Sequence, residues 1–223
     1  MATSLDLDKV LAGPRTVFTL FGFSITESLV NTWIVSAVLI ILALMLRRHL
    51  ELRPGKVQNV AELLVEGFSG IVKSTMGEKN LSFMPYIATL FMLILFSNLM
   101  GIFGFRSPTA DINVTLGYAL VTFFAIHFYG LKAKGWKYLK GMAEPVFIIL
   151  PINIIGELAR PVSLSMRLFG NMLAGSVVMA LISGAAALFV PAVASIYFDL
   201  FSGILQSFIF VMLTMVFIFL AKE

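Results

Sequence analysis

Apolar residues in this chain gather into runs separated by short polar stretches, and the runs have the lengths needed to cross a bilayer. Runs at about 30–46, 83–105, 114–131, 151–189 and 192–221 predict five membrane helices. Between the first two, Val57, Val60, Leu64, Phe68, Ile71 and Val72 recur at helical spacing in a hydrophilic stretch. That pattern predicts an amphipathic helix over about 57–76, lying on the membrane surface. A short interfacial or re-entrant helix over 146–155 would raise the segment count to six. The fourth run is too long for an upright span: its 39 residues make about 60 Å of helix, against a hydrocarbon core of ~30 Å. Either the helix breaks at Pro161 or Gly170, or it is strongly tilted. The expectation is an all-α polytopic membrane protein, residues 1–223 forming one membrane domain, its last two helices a long tilted hairpin. No internal repeat is visible.

Composition narrows the function. Apolar residues make up 59% of the 223 and charged residues 13%, about half the charged share of a soluble domain. With no cysteine, disulfides, Cys-ligated zinc and Cys-ligated iron–sulfur clusters are excluded. Two histidines, His49 and His127, are too sparse for a metal site and argue against haem; no cofactor is expected. No GxxxxGK[ST] occurs, so any nucleotide chemistry belongs to a partner.

The net charge of +4 does not point to nucleic acid, because the basic residues sit beside membrane segments. Arg47, Arg48, Arg53, Lys56, Lys73 and Lys79 fill one loop; Lys132, Lys134, Lys137 and Lys140 begin another. These alternate with poorly charged loops, which puts the basic ones in the cytoplasm, the N terminus outside and the C terminus inside. The amino terminus lacks a basic n-region and a transit pattern, so an unprocessed bacterial chain is expected.

Polar residues inside the apolar runs carry the candidate chemistry. Arg167 lies deep in the fourth run with no acidic residue one helical turn away. A guanidinium keeps its proton, and placing it near a bilayer centre costs roughly 3 kcal/mol on insertion scales. At 100° per residue, Glu157, Arg160, Arg167 and Asn171 fall within about 80° of one another, one polar stripe flanked by Gly156, Ser163 and Ala174. Ser195, Asp199, Ser202 and Gln206 are spaced four, three and four apart in the last run, and Asp111, Thr115, Tyr118 and Thr122 repeat that spacing in the third. Aligned polar faces on three helices suit an aqueous path through protein.

Plainer readings exist for each. Ser and Thr stripes in membrane helices serve commonly as packing contacts. Glu157 and Arg160, three apart, make a local ion pair as readily as a functional site. Asp199 could pair with Arg167 in a silent internal salt bridge. The spacing does not prove that Arg167 meets Gln206. His127, near the inner end of the third span, reads as an interfacial residue.

The segment Arg160-Pro-Val-Ser-Leu-Ser-Met-Arg167-Leu-Phe-Gly-Asn171-Met-Leu-Ala-Gly175 resembles subunit a of the F-type ATP synthase membrane sector. Pro108-Thr-Ala-Asp111-Ile-Asn113-Val-Thr and Leu205-Gln206-Ser-Phe208-Ile-Phe210 match the same family, so the resemblance covers nearly the whole chain. It implies a stator channel beside a ring of c subunits that carry membrane carboxylates, coupling proton flow through two half-channels to rotation. It also implies the b subunits of the peripheral stalk as partners. Arg167 becomes the arginine that meets each ring carboxylate, Gln206 its orienting neighbour, and Asn171 a hydrogen-bonding group beside it. Where the family often has an ionisable residue after Ala-Gly, this chain has Ser176; where it often has His or Glu in the last helix, this chain has Asp199. Asp199 is then expected to carry most of the acid chemistry of the inlet half-channel, lined further by Asp111, Asn113 and Ser176.

Two rivals remain on sequence alone. One is an ion-coupled secondary transporter using Arg167 to bind an anionic substrate, against which stand the missing inverted repeat and the small size. The other is a structural membrane subunit whose polar stripes only pack helices.

Overall fold

A computed structural model describes residues 13, 15–20, 23–48, 55–103, 105–141, 150–185 and 193–223. Among them, five helices are long and apolar enough to cross a membrane: Glu27–Arg48, Glu78–Phe103, Ile112–Lys134, Leu150–Ile182 and Ser202–Lys222. Each overlaps one of the five expected runs. Residues 150–155 belong to the long fourth helix; the rest of the proposed extra segment, 146–149, lies outside the described residues.

The chain opens with an antiparallel hairpin that the hydropathy pattern did not predict: β1 (Thr16–Leu20) and β2 (Phe23–Thr26), with Leu20 opposite Phe23. Helix α1 (Glu27–Arg48) follows directly. It buries Ser28, Asn31 and Val35, which lie on one face at helical spacing, and Asn31 Nδ2 donates to the Arg106 carbonyl at 2.9 Å. Its other faces present Trp33, Ile34, Ile40 and Ile41 outward, as a lipid-facing helix should.

Helix α2 (Lys56–Met76) is the amphipathic helix expected over 57–76. Val72 and Met76 dock into the core, while Val57, Val60, Leu63 and Leu64 remain exposed. Gly77 ends it at φ 82°, a left-handed conformation that suits glycine, and a 3-10 turn over Glu78–Phe83 leads into α3 (Met84–Leu99). Helix α4 (Ile112–Lys134), capped by Asp111, is followed by the short α5 (Trp136–Gly141).

Helix α6 (Leu150–Ala185) runs 36 residues without a break. Neither Pro161 nor Gly170 interrupts it, so of the two alternatives raised by its length the break is not realised. A continuous helix of roughly 54 Å outruns the ~30 Å hydrocarbon core, and tilt is the remaining way to accommodate it. The last helix differs from expectation in another way. Residues Ile196–Phe201 form a π-helical turn before α7 (Ser202–Lys222) begins. The wider turn changes the register, so Ser195, Asp199, Ser202 and Gln206 do not share one straight α-helical face.

Helices α3, α4, α6 and α7 enclose one core, with Ile87, Ile94, Leu168, Phe210, Met215 and Ile218 at or near zero exposure. Asn98 sits fully buried at its outer end. Its Nδ2 donates to the Gly203 carbonyl at 3.0 Å and to Ser207 Oγ at 3.1 Å, while its Oδ1 accepts from Thr109 Oγ1 at 2.6 Å. Thr109 in turn meets Ser107, which donates to the Ser97 carbonyl at 2.8 Å. Gly203 makes this possible: a Cβ there would stand 3.1 Å from the Asn98 Cβ. Hydrocarbon offers no substitute partner for such groups, so the network ties α3, α7 and the Pro108–Ala110 turn together. At the opposite end, Lys222 Nζ donates to Asn80 Oδ1 and lies 4.8 Å from the Phe83 ring centre, fastening the C-terminal end of α7 to the start of α3.

Asn98→Leu should destabilise the folded chain by about 1–3 kcal/mol, because Thr109 and Ser207 lose a buried partner. Thermal or SDS denaturation of the purified complex measures this; a variant as stable as the parent would show the network to be dispensable.

Candidate functional site

Helix α6 places Arg167 by packing its opposite side. Pro161, Leu164, Ser165, Leu168 and Met172 are buried, and Ser165 Oγ lies 3.1 Å from Thr115 Oγ1 of α4. Arg167 is two residues, about 200°, beyond Ser165, so docking that face on α4 turns the guanidinium away from the chain's own core. Arg167 is exposed, as are Ser163, Met166 and Ala174 around it. It makes no hydrogen bond or ion pair with any described residue.

Its neighbour along the stripe is fully engaged. Arg160 Nη1 lies 2.8 Å from both carboxylate oxygens of Glu157, and its guanidinium carbon is 5.1 Å from the Phe217 ring centre. The local ion pair weighed from the sequence is therefore present. One of the two arginines on the stripe is neutralised within its own chain, and the other has no such partner among the described residues.

Arg167 lines a cavity of about 240 Å³ with Gly156, Ala159, Arg160, Ser163, Leu164, Leu213 and Phe217. Three of these, Gly156, Ala159 and Ser163, are small residues of α6, which would admit the close approach of another helix. Gly156 and Arg160 also line a second groove of about 530 Å³, together with Lys134, Lys137, Tyr138, Ile152, Asn153 and Glu157. The two spaces share Gly156 and Arg160 in their walls, so both lie along the same stretch of α6. Tyr138 packs over Gly130, where a Cβ would come within 2.7 Å of the ring. Burial pushes its phenol up, the Glu157 charge adds to this and Arg160 opposes it, so the hydroxyl is neutral.

The other expected site residues divide. Asp111 is 2% exposed; its Oδ1 accepts from the Asn113 backbone N–H at 3.0 Å, capping α4, while its Oδ2 has no partner. The structure thus brings Asp111 and Asn113 together. Gln206 is buried with an unpartnered Nε2, and no hydrogen bond joins it to Arg167; α7 instead reaches the Arg167 cavity through Leu213 and Phe217. Asn171 lies half-buried one turn beyond Arg167. Ser176 donates to the Leu173 carbonyl of its own helix at 2.8 Å. Asp199 falls in the π-helical turn, and its side chain lies outside the described ones. His127 bonds the Phe123 carbonyl and stacks near that ring. Sequence reasoning missed Asn98, Thr109 and Ser165; a polar residue inside an apolar run was the available signal for Asn98.

A multipass helical protein that keeps an exposed arginine on a membrane helix, with no partner among the described residues, is one built to handle charge within the bilayer. The family model described as ATP synthase A chain matches residues 29–219. A subunit a from Trichlorobacter lovleyi is 41% identical over 86% of this chain and 85% of its own length. One from Acaryochloris marina is 35% identical over 96% and 93% respectively. The sodium-ion-specific subunit a of Propionigenium modestum is 37% identical over 89% of this chain and 74% of its own length. The chain belongs to this family, the ion-translocating stator subunits of the membrane sector of F-type ATP synthases.

The absence of native cysteine makes the site's facing directly measurable. In the isolated chain in detergent, Ser163→Cys and Ala174→Cys should react readily with a maleimide, and Ser165→Cys should be protected. Equal labelling of all three would contradict the orientation of α6.

Proposed function

We propose that Arg167 is the fixed cation that meets each carboxylate of a turning c ring, so that ion flow through this chain drives rotation. The observation that carries the proposal is the outward guanidinium, without a partner among the described residues, beside an engaged Arg160. A stationary positive charge favours the ionised form of a carboxylate entering the interface and so discharges its bound ion. The same charge blocks direct passage between the two half-channels, because a cation would have to cross it in a medium of low dielectric.

Two polar regions at opposite ends of α4 suit the half-channels. One is the start of α4, where Asp111 and Thr115 are buried and Asn113 is exposed, with Gln206, Asp199 and Ser176 assigned to it by resemblance. The other is the pair of spaces along α6, one walled by Arg167 and Arg160 and the next by Arg160, Glu157, Lys134 and Lys137. The basic loops place that end on the cytoplasmic side of a bacterial cell membrane, with the N terminus outside and the C terminus inside. We take the coupling ion to be the proton, the choice that the sodium-free measurement below decides. The chain itself carries out no covalent chemistry, and its partners are the c ring, the b subunits of the peripheral stalk and the soluble ATPase subunits. Co-isolation with those subunits separates this reading from a secondary transporter.

Arg167→Ala in the reconstituted complex should abolish ATP-driven pumping while passive leakage rises; unchanged pumping rejects the assignment. Asp199→Ala, with assembly preserved, should lower ion flux in both directions, and normal flux removes Asp199 from the pathway. Wild-type pumping should persist when sodium is omitted from the medium, whereas a strict sodium requirement would reverse the choice of ion.

A further inference from the structure

Behind Glu157, on α4, stands the imidazole of His127, which does not itself line the groove. His127 Nδ1 lies 2.9 Å from the Phe123 carbonyl oxygen. A carbonyl only accepts, so this contact assigns the proton to Nδ1 and leaves a lone pair on Nε2. Nε2 is 3.9 Å from Glu157 Oε2, a gap that a small side-chain rotation or one bridging water closes. The ring is held in that direction by Phe123, 4.1 Å away between centres, and by the edge of Tyr138 at 5.9 Å. The carboxylate is held just as firmly, since Arg160 grips both of its oxygens while packing on Phe217.

We propose that His127 is the proton-exchanging residue behind Glu157, trading protons with the groove through that carboxylate. The proposal rests on the ring-channel reading. In the outward-to-inward direction a proton arriving along the groove forms an O–H bond on Glu157 Oε2. That bond breaks as an N–H bond forms on His127 Nε2, the carboxylate returns to Arg160, and the imidazolium keeps its Nδ1–H bond to Phe123. Nε2 then releases its proton to water or a buffer base. One proton enters and one leaves, and reversal gives uptake during pumping. The charged and titratable groups facing this exchange are Glu157 and Arg160 from α6 and Tyr138 from α5, with Lys134 and Lys137 further along the groove. A neutral phenol leaves the imidazole as the base.

The test uses the assembled enzyme in inverted vesicles in sodium-free medium, which exposes the inner face to the bath. ATP-driven pumping is followed against pH for wild type and His127→Gln. Hydrolysis in an uncoupling detergent, measured at each pH, removes the soluble sector's own profile. In His127→Gln pumping should fall several-fold at neutral and alkaline pH, where bath protons are scarce, and be preserved at acid pH. Added imidazole buffer should restore pumping at neutral pH. A uniform loss at every pH, without rescue, or an unchanged profile, overturns the proposal and leaves His127 a packing residue. If His127→Gln fails to assemble, Glu157→Gln leaves the histidine in place and should pump slowly with the same rescue; unimpaired pumping there overturns the proposal too. Arg167→Ala run alongside keeps the two readings apart, because pumping in that variant refutes the ring-channel reading whatever His127 does.

Discussion

A charge that cannot be neutralised, held in a medium that penalises charge, organises this molecule. Arg167 cannot discharge its proton, and hydrocarbon does not solvate it, so a partner of opposite sign is what its position calls for. Among the described residues the fold supplies none. Helix α6 turns Leu164, Ser165 and Leu168 into the core, which fixes its rotation about its own axis, and the Thr115–Ser165 contact fixes its height against α4. With both settled, the guanidinium points outward over a cavity that it lines with Gly156, Ala159 and Ser163. Glu157, the acid on the same stripe, is already held by Arg160.

The contrast between the two arginines is chemically useful. Arg160, clamped by a carboxylate and an aromatic face, is a fixed element of the groove wall. Arg167 remains available to whatever passes. A stripe with both arginines free would impose a much larger desolvation cost, and one with both paired would have nothing to offer a moving carboxylate. The Glu157–Arg160 pair, which from sequence competed with a functional reading as a structural explanation, can serve both purposes, since it shapes the polar route while removing one excess charge.

The spans were readable because their signal is thermodynamic and nearly context-free: about twenty apolar residues have few places to go besides a bilayer. The helix over Lys56–Met76 was readable from the helical spacing of its apolar residues. What stayed hidden depends on partners distant in sequence. Asn98 meets Gly203 and Ser207 more than a hundred residues away, and no periodicity foretells such a contact. The short hairpin at Thr16–Thr26 lies outside the hydrocarbon pattern altogether. For the site, Arg167, Asp111 and Asn113 could be found as polar residues in apolar surroundings or as a helix start. The orientation of Gln206, buried and unbonded to Arg167, required the packing of α7.

The π-helical turn at Ile196–Phe201 has a further consequence. A wide turn takes up one residue's worth of rotation, so the segments on either side of it need not keep a common azimuth. Below it, α7 can hold the Phe210, Met215 and Ile218 face locked into the bundle. Above it, the helix backbone takes its own azimuth, as on a swivel set into an otherwise rigid shaft.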